Sequence, residues 1–365
     1  MSEAREQTTA VGTNELFVPG RLCLFGEHSD WAGALRAQDP SIEAGACILT
    51  GTDQGITAAV EADVDFLVSS PLADGGEGRP FRVPMEETAL RRSASAGGFF
   101  SYVAGVAAVV CRRYGCGGVA LREHSCDLPL ARGLSSSAAI CVLTARAFNQ
   151  IHGLGLDVRE EMEIAYLGEL AAGSQCGRMD QACAYGRRLV QLRLDGDEMA
   201  VEVLRPGRVL HLLIVDLEHP KDTRRILDDL HRAFARGGET RAALGRHNRD
   251  IVAAARAALE HGDGGSMGAL MEEAQSLFDR VLAPASPELS APRLHAALAH
   301  PSARALAWGG KGVGSQGDGA AQFVCRGAEE RDELARQLSS AGLGTCLPLT
   351  IEPSPPFLSD SENDG

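Results

Sequence analysis

The sequence predicts a soluble two-domain α+β protein, and three observations carry that prediction. The chain has 365 residues, which at roughly 150 residues per domain suggests two domains. Apolar residues make up 44% and charged residues 23%, the ordinary balance of a globular chain. Strand-like and helix-like stretches come in unequal runs, without the regular alternation of a doubly wound fold. Aromatics are only 5%, so the core has to be built from Leu, Val, Ile and Ala.

Taken in order, residues 1–14 are polar and are expected to be disordered, as is the acidic Pro/Ser tail of 352–365. Pro206-Gly207 is the expected boundary between domains spanning 15–205 and 206–351. From Leu16 to Leu67 the pattern is strand-like, with Arg21–Phe25, Ala46–Leu49 and Gly55–Val60 as the strongest runs. A Gly/Asp loop occupies 70–80. A buried helix is predicted over 97–114, within a weakly polar run too short for the ~20 residues that span a bilayer. Strand Gly118–Arg122 follows. Pro129 to Ala139 opens a small-residue helix that runs to about His152, and a second helix fits Val158–Ala172. Residues 189–194 and 199–204 alternate like a hairpin. Val209–Asp216 reads as a buried strand, and amphipathic helices fill Thr223 to Leu298. A glycine-rich run, Gly309–Gly319, leads into strand 322–325. Helix 328–341 and strand 345–350 close the second domain.

Charge and composition exclude several functions. Lys+Arg number 35 against 49 Asp+Glu, a net charge of −14, which leaves no basic face for a nucleic-acid backbone. Lys221 and Lys311 are the only lysines in the chain, and neither sits in G-x-x-x-x-G-K-[ST], so a P-loop is excluded. The charged start, Met1-Ser2-Glu3-Ala4-Arg5-Glu6, has no apolar stretch after it and is not a signal peptide. No membrane partner is expected. The ten cysteines have neither C-x-x-C nor zinc-ligand spacing. They read as reduced, mostly buried thiols of a cytoplasmic protein.

Three segments carry chemistry. Pro19-Gly-Arg-Leu-Cys-Leu-Phe-Gly-Glu-His-Ser-Asp30 is a strand ending in a turn that delivers Glu27, His28 and Asp30 together. Two carboxylates and an imidazole suit the hydroxyls of a polyol, although Asp and Gly are also what ordinary turns use. Gly133-Leu134-Ser135-Ser136-Ser137-Ala-Ala139 places glycine and three serines at a helix start. Unpaired N–H groups, hydroxyls and the helix dipole there can cradle a phosphate without a lysine; one serine alone would need only an N-cap explanation. Gly173-Ser-Gln-Cys-Gly-Arg-Met-Asp-Gln181 offers Asp180 as an acid/base group or a cap.

In this order the three segments resemble the motifs of the GHMP kinase superfamily, closest to galactokinase and related sugar-1-kinases, over roughly residues 15–350. The resemblance implies an N-terminal ribosomal-protein-S5-like α/β domain and a C-terminal ferredoxin-like α+β domain. It also implies an ATP- and Mg2+-dependent phosphotransfer to the anomeric hydroxyl of a monosaccharide. By that similarity, Asp180 is the catalytic carboxylate and Arg21 its neighbour, which keeps it ionised and meets charge on the transferring phosphoryl group. Glu27, His28, Asp30 and Gly177 would contact the sugar. Gly133, Leu134, Ser135, Ser136 and Ser137 would hold the ATP phosphates, and Ser136 and Glu169 the Mg2+. The Asp of Ser29-Asp30-Trp31 resembles the sugar kinases more than mevalonate kinase. A cyclitol or mevalonate-like acceptor, or an inactive sugar and ATP sensor, are the alternatives.

The chain departs from the family pattern in three places. Ala131 stands where a glycine is common. Glu169 lies one residue nearer Asp180 than the pattern expects. The run Gly309–Gly319 contains Lys311 and Asp318, unlike a plain glycine run. Lys311 reads equally as a phosphate contact or as a surface lysine on a flexible loop. Asp222 and Thr223 lie on a loop able to reach substrate.

Overall fold

A computed structural model describes residues 14–69, 80–98, 100–129, 133–219 and 221–353. The expected 70–80 loop, most of both predicted disordered ends and Ala131 lie outside the described residues. The chain runs β1 (Asn14–Phe25), α1 (Ser29–Ala34), β2 (Gly45–Asp63), β3 (Asp65–Ser69), β4 (Phe81–Pro84), α2 (Glu87–Ser95), α3 (Ser101–Tyr114) and β5 (Gly118–Cys126). Next come α4 (Ser136–His152), α5 (Val158–Ala171), β6 (Val190–Asp195), β7 (Glu198–Val203), β8 (Leu210–Asp216), α6 (Thr223–Ala235) and α7 (Glu239–Ala242). It ends with α8 (Asn248–His261), α9 (Gly264–Leu277), α10 (Pro292–Leu298), α11 (Pro301–Leu306), β9 (Ala307–Gly312), β10 (Ala320–Cys325), α12 (Ala328–Ser340) and β11 (Thr345–Ile351).

The chain forms two compact units, each drawn from several stretches. The first comprises Met1–Val18, Ile56–Asp127 and Ile140–Gly173. Its strands lie in the order β4-β3-β5-β2, with β3 parallel to β5 and the other pairs antiparallel. Phe66 stacks on Phe148 at 5.7 Å in its core. Helices α3 and α5 touch backbone to backbone, because a Cβ on Gly105 would strike the Gly168 carbonyl. Glycine costs helix stability, and here that cost is offset by close packing. Asp157 and Glu160 form a reciprocal cap at the start of α5, with bonds of 2.8 and 2.9 Å. The helix expected over 97–114 starts at Ser101 instead, since Gly97 and Gly98 hold φ of 74° and 86°.

The second unit comprises Pro19–Gly55, Leu128–Ala139 and Ser174–Gly365. The first half of β2 pairs antiparallel with β6, and β6 with β7, which is the expected hairpin. A four-stranded antiparallel sheet has the order β11-β8-β10-β9. Its core gathers Leu213, Val215, Ala321 and Phe323 with Leu294, Leu334 and Leu338 from the helices. A separate cluster joins Trp31 and Ile42 to Ile226, Leu230, Phe234 and Phe278.

Three details differ from the sequence reading. The region to Leu67 holds the short helix α1 as well as strands, and Ala46–Leu49 and Gly55–Val60 belong to one strand, β2. The glycine-rich run does not merely precede a strand: its first residues are strand β9, registered on β10 with Lys311 opposite Gln322. Glycines are tolerated there because a helix backbone comes close, a Cβ on Gly309 meeting the Gly268 carbonyl of α9. The compact units do not follow a single division at 205/206; each draws on several stretches of the chain.

Candidate active site

Strand β1 delivers Arg21 into the interior of the second unit. Gly20 makes that path possible, since a Cβ there would lie 2.8 Å from the Thr52 hydroxyl and 3.0 Å from the Leu134 carbonyl. The Arg21 N–H then donates to the Leu134 carbonyl at 3.0 Å, tying the strand to the serine-rich segment. The guanidinium forms an ion pair with Asp180, the first residue of a 3-10 turn (Asp180–Tyr185). The two side chains are 3% and 28% exposed. The carboxylate is therefore the reachable member of the pair. Arg21 Nε and Nη1 are buried with no hydrogen-bond partner. Burial works against the Arg21 charge, but Asp180 beside it holds the pKa above the ordinary arginine value. Two unmatched buried donors beside a reachable carboxylate leave hydrogen-bonding capacity unspent next to the acid.

The turn after β1 is held by tight backbone contacts. Gly26 has φ 98° and leaves no space for a side chain against Ala46 and Cys47. His28 follows in the left-handed region, at φ 66°, which costs a non-glycine residue energy and marks a conformation imposed by its surroundings. The Trp31 indole N–H donates to His28 Nδ1 at 3.2 Å. A nitrogen that accepts carries no proton, so the imidazole is the neutral tautomer with its hydrogen on Nε2. Burial first, then the charges of Lys221 and His231, push its pKa down to about 3, in agreement with that tautomer. Nε2 is buried, and a bond to the Ser315 backbone works the other way, raising the pKa. His28 is thus held as a neutral, buried imidazole.

Asp30 is engaged with backbone: Oδ2 accepts the Met179 N–H at 3.2 Å. A Cβ on Gly177 would fall on the same carboxylate, so glycine lets the Asp180 segment lie against the turn. Burial, then the Asp180 charge, push the Asp30 carboxyl up to about 6, against bonds from the Trp31 and Met179 N–H groups. Glu27 forms a buried ion pair with Lys311, the two side chains being 6% and 1% exposed. Lys311 also donates to the Gly312 carbonyl at 2.9 Å. The surface-lysine reading of Lys311 is therefore overturned: β9 carries it inward, and an ion pair holds it there. Asp318, the other oddity of the run, accepts the Leu294 N–H at 2.9 Å and caps the start of α10.

The serine-rich segment faces the glycine-rich run. Gly133 has φ 90°, and a Cβ there would lie 3.0 Å from the Val313 carbonyl. Ser135 holds φ 58°, and its carbonyl accepts the Ala139 N–H at 3.0 Å within the first turn of α4. Leu134 is buried and contributes backbone; Ser136 and Ser137 are half-buried at the helix start. Glu169 belongs to the other unit, buried on α5. Among the described residues no group of three His, Cys, Asp or Glu could hold a metal ion.

The structure thus brings Arg21, Glu27, His28, Asp30, Gly133–Ser137, Gly177 and Asp180 into one unit. It adds two residues to them. One is Lys311. The other is Lys221, whose Nζ donates to the Gln316 carbonyl at 2.7 Å. The signal for both was already in the composition: lysine occurs at just these two positions. Asp222 caps α6, accepting the Arg225 N–H at 3.0 Å, and Thr223 Oγ1 lies 3.5 Å from Ser315 Oγ.

Residues 101–187 match the family model for the GHMP kinases N terminal domain. Over those residues the chain is similar to the GHMP kinases. Galactokinase of Thermotoga maritima is 27% identical over 180 residues, covering 48% of this chain and 45% of that protein. The chain spans about half the length of the curated relatives it matches. Among solved structures, mevalonate kinase of L. major, in complex with R-mevalonate, matches with a TM-score of 0.69 at 19% identity, over 94% of this chain and 97% of that one. Lactococcus lactis galactokinase, complexed with galactose, matches with a TM-score of 0.70 at 16% identity, over 94% of each chain. The expected α+β GHMP kinase fold is therefore that of this protein. Among the described residues no helix is long and apolar enough to cross a membrane.

Proposed function

We propose that the protein is an ATP-dependent small-molecule kinase that phosphorylates a monosaccharide at its anomeric hydroxyl. The observation that carries this reading is the Arg21–Asp180 pair: a reachable carboxylate beside a buried guanidinium with two unmatched donors. Asp180 would accept or orient the proton of the attacking hydroxyl. Arg21 would keep Asp180 ionised and place its Nε and Nη1 hydrogens on the phosphoryl oxygens, where charge builds up. The backbone of Gly133–Ser137 and the Ser136 hydroxyl would hold nucleotide phosphates, and Mg2+, when bound, would neutralise their charge. Catalysis of this kind is mostly positioning and electrostatics.

One observation favours a second reading, a kinase for another small alcohol such as a cyclitol or mevalonate-like metabolite. Glu27 and Asp30 are committed to Lys311 and to backbone N–H groups, which leaves fewer acceptors for vicinal hydroxyls than the sequence suggested. Coupled ADP release with Mg·ATP, measured against aldoses, uronic acids, cyclitols and mevalonate, decides between them. Turnover with one aldose and an anomeric phosphate product supports the first reading; turnover with a cyclitol or mevalonate only supports the second. No ADP release with any acceptor, while a sugar raises the melting temperature, would replace both with an inactive sensor.

A further inference from the structure

We propose that Lys221 is a further catalytic residue of this site, an ammonium that grips the terminal phosphate of the bound nucleotide. The inference rests on the phosphotransfer reading above. Its first support is compositional. Of 35 basic residues, all but Lys221 and Lys311 are arginine. The chain uses arginine for nearly every positive charge, yet one lysine lies on strand β9 and the other on the segment before α6, both within the same unit. An ammonium is a compact point charge with three rotatable donors, whereas a guanidinium is a wide planar fork. Lys311 is sealed against Glu27, and that explains one of the two.

Lys221 is explained by what surrounds it. Its Nζ lies 3.5 Å from the point a Cβ on Gly133 would occupy, so the ammonium rests on the bare face of the serine-rich segment. It donates to the Gln316 carbonyl in the glycine-rich run at 2.7 Å. Its charge is among the influences that hold His28 neutral. One cation therefore touches or acts on the His28 turn, the serine-rich segment and the glycine-rich run. Those loops are also where the backbone is forced: His28, Ser135 and Gln316 have φ of 66°, 58° and 64°. Left-handed non-glycine residues persist only where the surroundings fix them.

The loop that carries Lys221 is pinned on both sides. Before it, Glu218 has φ 54°, its N–H donates to Asp216 at 2.9 Å, and its carboxylate accepts the Thr345 hydroxyl at 2.6 Å. After it, Asp222 caps α6 and its N–H reaches Glu288 at 3.4 Å. A lysine set between two anchors, against the start of α4, suits a phosphate as a point-charge ligand. The chain would thus place a phosphate-binding lysine on the approach to α6, where a P-loop enzyme carries it inside its own glycine loop.

Calorimetric titration of the full-length protein with Mg·ATP and with Mg·ADP tests the assignment without requiring turnover. Lys221→Met is expected to weaken ATP about 10-fold or more and ADP no more than about 3-fold, as loss of a contact to the third phosphate requires. A Lys221→Arg variant is expected to recover part of the difference. With a turned-over acceptor, kcat should fall about 100-fold while the acceptor KM holds. If Lys221 only braces the Gln316 carbonyl, ATP and ADP weaken equally, and the proposal is overturned. Should Lys221→Met melt well below wild type, Lys221→Gln serves instead, since it keeps a donor for that carbonyl and removes the charge. Failure of every acceptor to release ADP would remove the phosphotransfer reading, yet an ATP-over-ADP effect would still stand as evidence that Lys221 grips the third phosphate.

Discussion

Two ion pairs lie in the same unit and do opposite things. In the Arg21–Asp180 pair, the acid is 28% exposed and two guanidinium nitrogens have no partner. In the Lys311–Glu27 pair, both side chains are sealed, at 1% and 6%, and the ammonium spends another donor on the Gly312 carbonyl. The first keeps hydrogen-bonding capacity unspent beside a partly exposed acid. The second has used its capacity inside the fold. A buried pair with its donors matched fixes geometry; a pair with unmatched donors facing an accessible acid is arranged for something that arrives.

Breaking the open pair should give the largest effect. Asp180→Asn, which keeps a side-chain oxygen for the Arg21 guanidinium, is expected to lower kcat by about 10³-fold or more, with an unchanged far-ultraviolet dichroism spectrum. Wild-type-like turnover in that variant would remove the proposed mechanism. Breaking the sealed pair should act on stability instead. Lys311→Met leaves Glu27 buried and alone and is expected to cost about 3–5 kcal/mol in urea unfolding. Glu27→Gln in the same chain should return most of that loss, and a double variant as unstable as the single one would show that the pairing is not what Lys311 supplies.

A finer comparison moves the catalytic segment without touching a charge. Gly177→Ala puts a methyl group onto the Asp30 carboxylate and should shift Asp180, with a loss of about 100-fold in kcat. A loss confined to acceptor KM would show that the segment yields without carrying Asp180 along.

The smallest effect is on the pH dependence of stability. His28 has its folded pKa pushed down to about 3 from the ordinary ~6.5, so its contribution is present above pH ~6.5 and is lost as pH falls towards 3. Asp30 runs the other way. Its carboxyl is pushed up to about 6 from the ordinary ~3.9, so its contribution is present at acid pH and is lost as pH rises through about 6. Unfolding free energies measured from pH 4 to 7 should show His28→Gln relieved of the acid-side loss and Asp30→Asn relieved of the loss on raising pH. Parallel curves for wild type and both variants would show that neither group titrates in the fold as described.

Much of this was legible in the chain. The strands Arg21–Phe25, Leu210–Asp216 and Ala320–Cys325 are runs of aliphatic residues bounded by turn residues, and burial of such runs is dictated locally. The helices after Val158 and Ala328 announce themselves by acidic first turns and periodic apolar positions. The motif residues were found through their resemblance to GHMP kinase segments, since each segment alone also reads as an ordinary turn or helix cap. What was not legible came from contacts distant in the chain. The glycines of β9 read as a loop, because nothing local says that α9 will lie against them. Lys311 read as ambiguous, because its partner Glu27 is 284 positions away.

The sequence by itself determined the fold class, the exclusion of a P-loop and a basic nucleic-acid face, and the set of groups available for chemistry. Those follow from composition, periodicity and residue type, which act over a few residues. Tertiary structure alone decided which of those groups is free to act. Glu27 and Asp30 carry the same charge as Asp180, yet Lys311 occupies one and backbone N–H groups occupy the other. Asp180 keeps an exposed edge. Availability depends on what burial brings alongside each group, and that is a property of the packed chain, not of any segment of it.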